Sequence, residues 1–356
     1  MQYLIESQLI LEYTLHRTCV GGNKGIQKDL DDGIDTIGKK MTVCQLYAKQ
    51  IRHRGNVRYN TKNGRKRLMK LLEEDKLGGC PIDSVKLSDA KEWAIRMKEK
   101  GISYKTISND KHSLKAAFYT AIQDDCVRKN PFDFQLNTVI EDDTEPKVPL
   151  TPAQEESFLP FAQNDKVYQK YYDELIILLG TGLRISELCG LTDTDIDFEN
   201  RIINVDHQLL RSAETGYYIE TPKTKSGIRQ IPMSEKVYEA FNRVLKRRRG
   251  AKAVTIDGYS NFLFLNRDGY PKTATNYDGT FRGLAKKYNK YHEEALPKVM
   301  TPHTLRHTFC TNMANAGMNP KALQYIMGHS NITMTLNYYA HATFDSAKAE
   351  MLRIAA

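Results

Sequence analysis

Short phrases along the second half of the chain offer two arginines, two or three histidines and a tyrosine that could act together. Arg184 lies in TGLRISEL, His303, Arg306 and His307 in TPHTLRHTF, His329 in MGHS, and Tyr338 and Tyr339 in TLNYYAH. These residue types suit one substrate class. Guanidiniums match the non-bridging oxygens of a phosphodiester with forked hydrogen bonds. Histidines hold or protonate such oxygens, and a tyrosine hydroxyl can attack phosphorus.

Taken singly, each residue has an ordinary structural use. Arg184 can pair with Glu187, three residues on. His303 and Arg306 share a face of the helix opened by Thr301-Pro302, where free N–H groups and the helix dipole favour an anion. A capping histidine beside a solvated arginine fits the same spacing, and His307, one position off that face, reads as packed. His329 follows a glycine at a helix end, as a structural cap would. One of two adjacent tyrosines usually packs in a core. Lys223 and Lys225 lie in TPKTKSG, a turn between strand-like runs where a lysine is usually just solvated.

The elements that must position these residues fall into two regions. From Met41 the pattern is helical: Thr42 caps VCQLYAKQIR, NGRKRLMKLLEEDK follows, Ser88 caps DAKEWAIRMKEK, and Ser103 opens an amphipathic helix to about Asp125. Asn130-Pro131 ends that run. Basic residues cluster on these helices, including Arg52, Arg54, Arg58, Arg65, Lys66, Lys105, Lys111 and Lys115. An acidic, proline-containing linker at 138–149 precedes Thr151-Pro152-x-Gln154, which combines a cap, a proline at the first helical position and a capping box. A buried helix, YYDELIILLGTG, comes next, then strands at RIINVD, GYYIETPKT and GIRQIPM, the helix SEKVYEAFNRVLKRRR and the apolar run NFLFLN. The remainder reads as helices. The expected fold is mainly α with a small antiparallel sheet: a four-helix domain at 41–137 and a mixed α/β domain at 150–356. Residues 1–40 read as a tail or linker.

With 356 residues the chain is long enough for two cores. Its net charge of +9, from 52 Lys+Arg against 43 Asp+Glu, favours an anionic partner such as DNA, RNA or a membrane surface. The six cysteines are scattered without a C-x-x-C pair, which suits a reducing cytosol and neither zinc nor disulfides. No apolar run approaches the roughly 20 residues that span a bilayer. No G-x-x-x-x-G-K-[ST] phosphate loop is present.

In order and local spacing, TGLRISEL, PKT before a strand, TPHTLRHTF, MGHS and TLNYYAH resemble the tyrosine recombinases of the phage integrase family. KKMTVCQLYAKQ, IQDDCVRKNPFDFQL and HQLLR look closest to integrases of Gram-positive conjugative transposons. The resemblance implies a helical core-binding DNA domain at 41–137 and a catalytic domain at 150–356. It also implies DNA cleavage through a 3′-phosphotyrosyl link and a free 5′-hydroxyl, with no metal, ATP or other cofactor. Arg184 and Arg306 would clamp the phosphate and His329 would donate to it. Lys223, or Lys225 in its place, would protonate the 5′-oxygen, and His303 would act as acid or base near the nucleophile. The tyrosine before x-His in related chains matches Tyr339, with Tyr338 as the alternative. The implied partners are double-stranded DNA at element ends and target, further copies of this chain in a tetrameric synapse with an exchanged C-terminal helix, and an excisionase. A bacterial cytoplasmic location follows from the same likeness. Those integrases carry an N-terminal arm-binding domain, and only KDLDDGIDTIGKK corresponds to its end, so that domain is expected to be missing or truncated here. A type IB topoisomerase would share the cleavage chemistry, and a DNA-binding regulator would share the basic surface without the catalytic set.

Overall fold

The computed structural model describes residues 40–55, 57–145, 148–248, 254–339 and 351–352. The expectations for residues 1–39 and for the exchanged C-terminal helix lie outside these residues, apart from Met351 and Leu352. The chain divides into two compact units, the first ending at Glu145.

In the first unit, Thr42 accepts a hydrogen bond from the Gln45 amide, and Gln45 answers through its side chain, so α1 (Val43–His53) opens with a closed capping box. The other helices are α2 (Tyr59–Glu73), α3 (Leu87–Glu99) and α4 (Tyr104–Gln123). Helix α3 begins one residue before Ser88. The Asp89 carboxylate accepts from the Lys86 amide at 2.8 Å and caps the helix from inside its first turn. Apolar faces of all four helices meet at Leu46, Leu72, Trp93 and Phe118, with Phe132 set edge-on to Trp93 at 5.8 Å. Leu136 and Ile140 also join this core, so the chain stays packed beyond residue 137.

Of the basic residues singled out above, Arg52, Arg54, Lys66 and Lys105 are exposed, while Arg58 and Arg65 are half-buried. Lys111 belongs elsewhere: it is only 5% exposed, with its ammonium 4.5 Å from the Phe134 ring centroid. A lysine so buried cannot reach a DNA backbone, because α4 turns that position into the core. Lys115 spends its charge on Asp133 at 2.5 Å.

In the second unit the Thr151/Gln154 capping box opens α5 (Pro152–Asn164). The apolar α6 (Tyr172–Thr181) is the central helix, packed against α8 (Glu235–Arg248) and α10 (Pro302–Asn315). Between them come the short α7 (Ile185–Gly190) and five strands: β1 (Ile196–Asp197), β2 (Ile202–Val205), β3 (Gln208–Ser212), β4 (Gly216–Glu220) and β5 (Arg229–Pro232). They form two antiparallel sheets, β1-β2-β5 and the hairpin β3-β4. Strand β3, in HQLLRS, adds to the three strand-like runs expected from sequence. NFLFLN makes only isolated bridges, Thr192 to Phe262 and Leu265 to Pro271. Its Phe262, Leu263 and Phe264 are all buried, whereas a half-buried strand would alternate. Helix α9 (Ala274–Tyr288) precedes α10, and α11 (Pro320–Met327) and α12 (Thr333–Leu336) follow it. A small apolar cluster of Phe309, Cys310, Leu323 and Met327 ties α10 to α11 and receives both Tyr338 and Tyr339. No described helix is long and apolar enough to cross a membrane.

Candidate active site

Helix α6 runs apolar to its end and stops at Gly182, which caps it in the left-handed conformation (φ 64°). A Cβ there would lie 2.5 Å from the Phe309 ring, so only glycine lets the chain turn this close to α10. The turn sets Arg184 at the start of α7. Its amide donates to Glu187 Oε2 at 2.8 Å, Nη1 to Glu187 Oε1 at 2.7 Å, and Nη2 to the Gly328 carbonyl at 2.9 Å. The ordinary ion pair and the site geometry are therefore one arrangement: Glu187 holds Arg184 in place.

Arg229 holds Glu187 in turn. It occupies an inward position of β5, its side chain fully buried. Its nitrogens reach Glu187 Oε2 at 2.8 Å and Oε1 at 3.1 Å, the Gly227 carbonyl at 3.1 Å and the Ile326 carbonyl at 2.6 Å. Burial alone would raise the Glu187 carboxyl, but the hydrogen bond and charge of Arg229, with Arg184 and Arg306, hold it at about 2.

Arg306 reaches the same place from α10. It is 5% exposed, donating to the Gly182 carbonyl and, at 2.5 Å, to the Met327 carbonyl. Burial first, and then the Arg184 charge, presses its pKa down to about 9. Three guanidiniums thus face one carboxylate in a largely buried setting. The excess positive charge is costly without a counter-ion and suits an incoming anion.

His329 follows Gly328, the left-handed cap of α11. It is buried, with Nδ1 3.0 Å from Thr335 Oγ1. Burial, then the charges of Arg306, Arg184 and Arg229, lower it to about 4, so the imidazole is neutral at physiological pH. A Cβ on Gly328 would lie 3.0 Å from the Ser226 carbonyl oxygen and 3.1 Å from Arg229 Nη1. The loop bearing Lys223 and Lys225 therefore packs directly against the end of α11. Gly328→Ala is expected to destabilise the chain by about 1–2 kcal/mol through its left-handed backbone alone. It should also shift His329 and the lysine loop, the whole effect being read as a lower melting temperature.

The two tyrosines differ in what they face. Tyr338 hydrogen-bonds His307 Nδ1 on α10 through its hydroxyl. Burial raises that hydroxyl to about 12, Cys310 adds to the rise, and Arg306 opposes it. The Tyr339 hydroxyl donates to the Met318 carbonyl at 2.5 Å. His303, one turn before His307, is exposed, with the two rings 5.9 Å apart. Lys223 and Lys225 are both exposed on the β4–β5 loop. The structure thus brings together Arg184, Arg306, His329 and Tyr338 and leaves Lys223, Lys225 and His303 at the margin.

Two contributors escaped the sequence reading. Arg229 carried a faint signal, since strand alternation puts it on the same face as the buried Ile231. His307 read as packed, because its partner Tyr338 lies 31 residues away.

The site and the two-unit fold define a DNA strand-transfer enzyme of the tyrosine recombinase class, and residues 149–346 match the model of the phage integrase family. The chain belongs to that family and is a tyrosine-type site-specific recombinase. It is 69% identical to the transposase from transposon Tn916 of Enterococcus faecalis over 92% of this chain and 81% of that protein. The solved Tn1549 transposon integrase in complex with a circular intermediate DNA superposes with a TM-score of 0.84 at 77% identity, covering 88% of this chain and 99% of that one. The same integrase in complex with transposon right end DNA also gives 0.84, covering 89% and 100%. These two structures carry single substitutions, an arginine to lysine and a tyrosine to phenylalanine, 154 positions apart.

Proposed function

We propose that this recombinase excises and integrates a mobile element by cutting DNA at the element ends, with Tyr338 as nucleophile. The observation that carries the reading is the Tyr338 hydroxyl seated on the helix that supplies Arg306, beside a buried excess of guanidinium charge. Tyr339, the tyrosine favoured by its phrase, has its hydroxyl engaged by the Met318 carbonyl. The spacing agrees: Arg184 and Tyr338 are 154 positions apart, as are the substituted arginine and tyrosine of the Tn1549 structures.

In the reaction Tyr338 Oη bonds to phosphorus and the bond to the 5′-oxygen breaks. Arg184 and Arg306 gather the non-bridging oxygens as their charge grows, an interaction stronger in the transition state than in the ground state. Neutral His329, with Nδ1 paired to Thr335 Oγ1, would present Nε2–H to the same phosphate. Lys223, with Lys225 as the alternative, protonates the departing 5′-oxygen, and its loop is held next to the phosphate clamp by the Arg229–Gly227 hydrogen bond. Because the phosphotyrosyl link stores the bond energy, religation needs no nucleotide cofactor.

The first unit would grip the duplex through Arg52, Arg54, Arg58, Arg65, Lys66 and Lys105. Phosphate contacts of this kind weaken steeply as salt rises. Exchange of four strands calls for four nucleophiles, hence a tetramer of this chain in the synapse, with an excisionase setting the direction.

The test is a nicked suicide duplex made from the element end. A covalent protein–DNA adduct on a denaturing gel, together with recombinant product from two intact ends, is the expected result. Adduct without recombinant product would indicate a topoisomerase-like activity, and no adduct on any end sequence would overturn the reading.

A further inference from the structure

Tyr338 Oη is hydrogen-bonded to His307 Nδ1, with ring centroids 5.5 Å apart. We propose that His307 is the general base that takes the Tyr338 proton as the tyrosine oxygen attacks phosphorus. This rests on Tyr338 being the nucleophile. The acid–base histidine expected from sequence was His303, but His303 is exposed one turn earlier on α10, and it is His307 that touches the reacting oxygen.

Geometry and charge both favour the transfer. A proton moves efficiently only along an existing hydrogen bond or through one water, and this bond is direct. Burial, then Cys310, keeps the Tyr338 hydroxyl high, at about 12, so almost no phenolate exists at neutral pH without a base. The groups around the pair are Arg306 and Cys310 on α10, which act on the Tyr338 hydroxyl, His303 one turn before His307, and His329 beyond the end of α11. Among them the Arg306 charge favours the phenolate.

The step balances without a further reactant. The Oη–H bond breaks and its proton goes to Nδ1 of His307, a transfer that uses the neutral tautomer with the ring hydrogen on Nε2. The Oη–P bond forms, the bond from phosphorus to the 5′-oxygen breaks, and that oxygen takes a proton from the loop lysine. Religation runs the same path backwards, with imidazolium returning the proton to Tyr338.

The test uses the full chain in single-turnover cleavage of the suicide duplex at saturating DNA. His307→Ala and the near-isosteric His307→Gln are expected to cleave about 10²–10³ times more slowly, with DNA affinity within a few-fold of wild type and a deficit that shrinks as pH rises. A duplex with sulfur in place of the bridging 5′-oxygen needs no leaving-group proton. It should rescue Lys223→Ala or Lys225→Ala, whichever is the acid, and leave the His307 variants slow. Wild-type or faster cleavage by both His307 variants, or their rescue by the sulfur substrate, would overturn the proposal. Should Tyr338→Phe still form adduct, the nucleophile assignment has failed instead, and the same gel separates the two failures.

Discussion

Tyr338→Phe is expected to lower covalent adduct formation by about four orders of magnitude or more, the scale on which removing a nucleophile acts. Tyr339→Phe is expected to stay within about ten-fold of wild type. The two substitutions are the same chemical change at adjacent positions, so they share most of their effects on folding. Each deletes one hydroxyl and breaks one hydrogen bond, to His307 Nδ1 or to the Met318 carbonyl. Either loss costs on the order of 1 kcal/mol of stability, too little to unfold the chain. What separates them is direction. Tyr338 projects towards α10 and the Arg306 charge, and Tyr339 towards the loop at Met318. Single-turnover adduct formation, with melting temperature as the control, checks this.

Arg306→Ala is expected to slow cleavage by about 10³–10⁵-fold, the range for removing an arginine that neutralises a transferring phosphoryl group. Its structural effect should be smaller. The substitution leaves the Gly182 and Met327 carbonyls without their donor, which costs roughly 1–3 kcal/mol each when such groups are buried. It also relieves repulsion from Arg184 and Arg229, the charges that depress Arg306. The net loss should be a few degrees in melting temperature. Arg306→Lys keeps a charge but not the planar fork, so it should recover part of the stability and little of the rate. A rate that falls only in proportion to the folded fraction would mean that Arg306 is structural.

Much of this was legible in sequence where the cause is local. Thr42 and Thr151/Gln154 announced two helix starts because a cap or a capping box is complete within four residues. Gly182 and Gly328 announced the turns before Arg184 and His329, since a glycine after an apolar helix marks a left-handed cap. The family resemblance then grouped Arg184, His303, Arg306 and His329 across 146 positions. Signals that depend on tertiary packing were not legible. Adjacent tyrosines on one turn look alike until α10 and the Met318 loop are in place to receive one each. Arg229 read as a strand residue, and only the approach of α7 makes it the anchor of Glu187. Lys111 read as one of a basic series, although the apolar face of α4 buries it. The strand in HQLLRS was hidden because its partner β4 is needed to reveal it as a hairpin.

The most direct measurement is to trap the adduct of the wild-type chain on the suicide duplex, digest both components, and identify by mass spectrometry which tyrosine carries the nucleotide. The modification is expected on Tyr338 in the TLNYYAH peptide. A nucleotide on Tyr339, or on a tyrosine outside this peptide, would contradict the assignment of Tyr338 to the phosphate clamp of Arg184, Arg306 and His329.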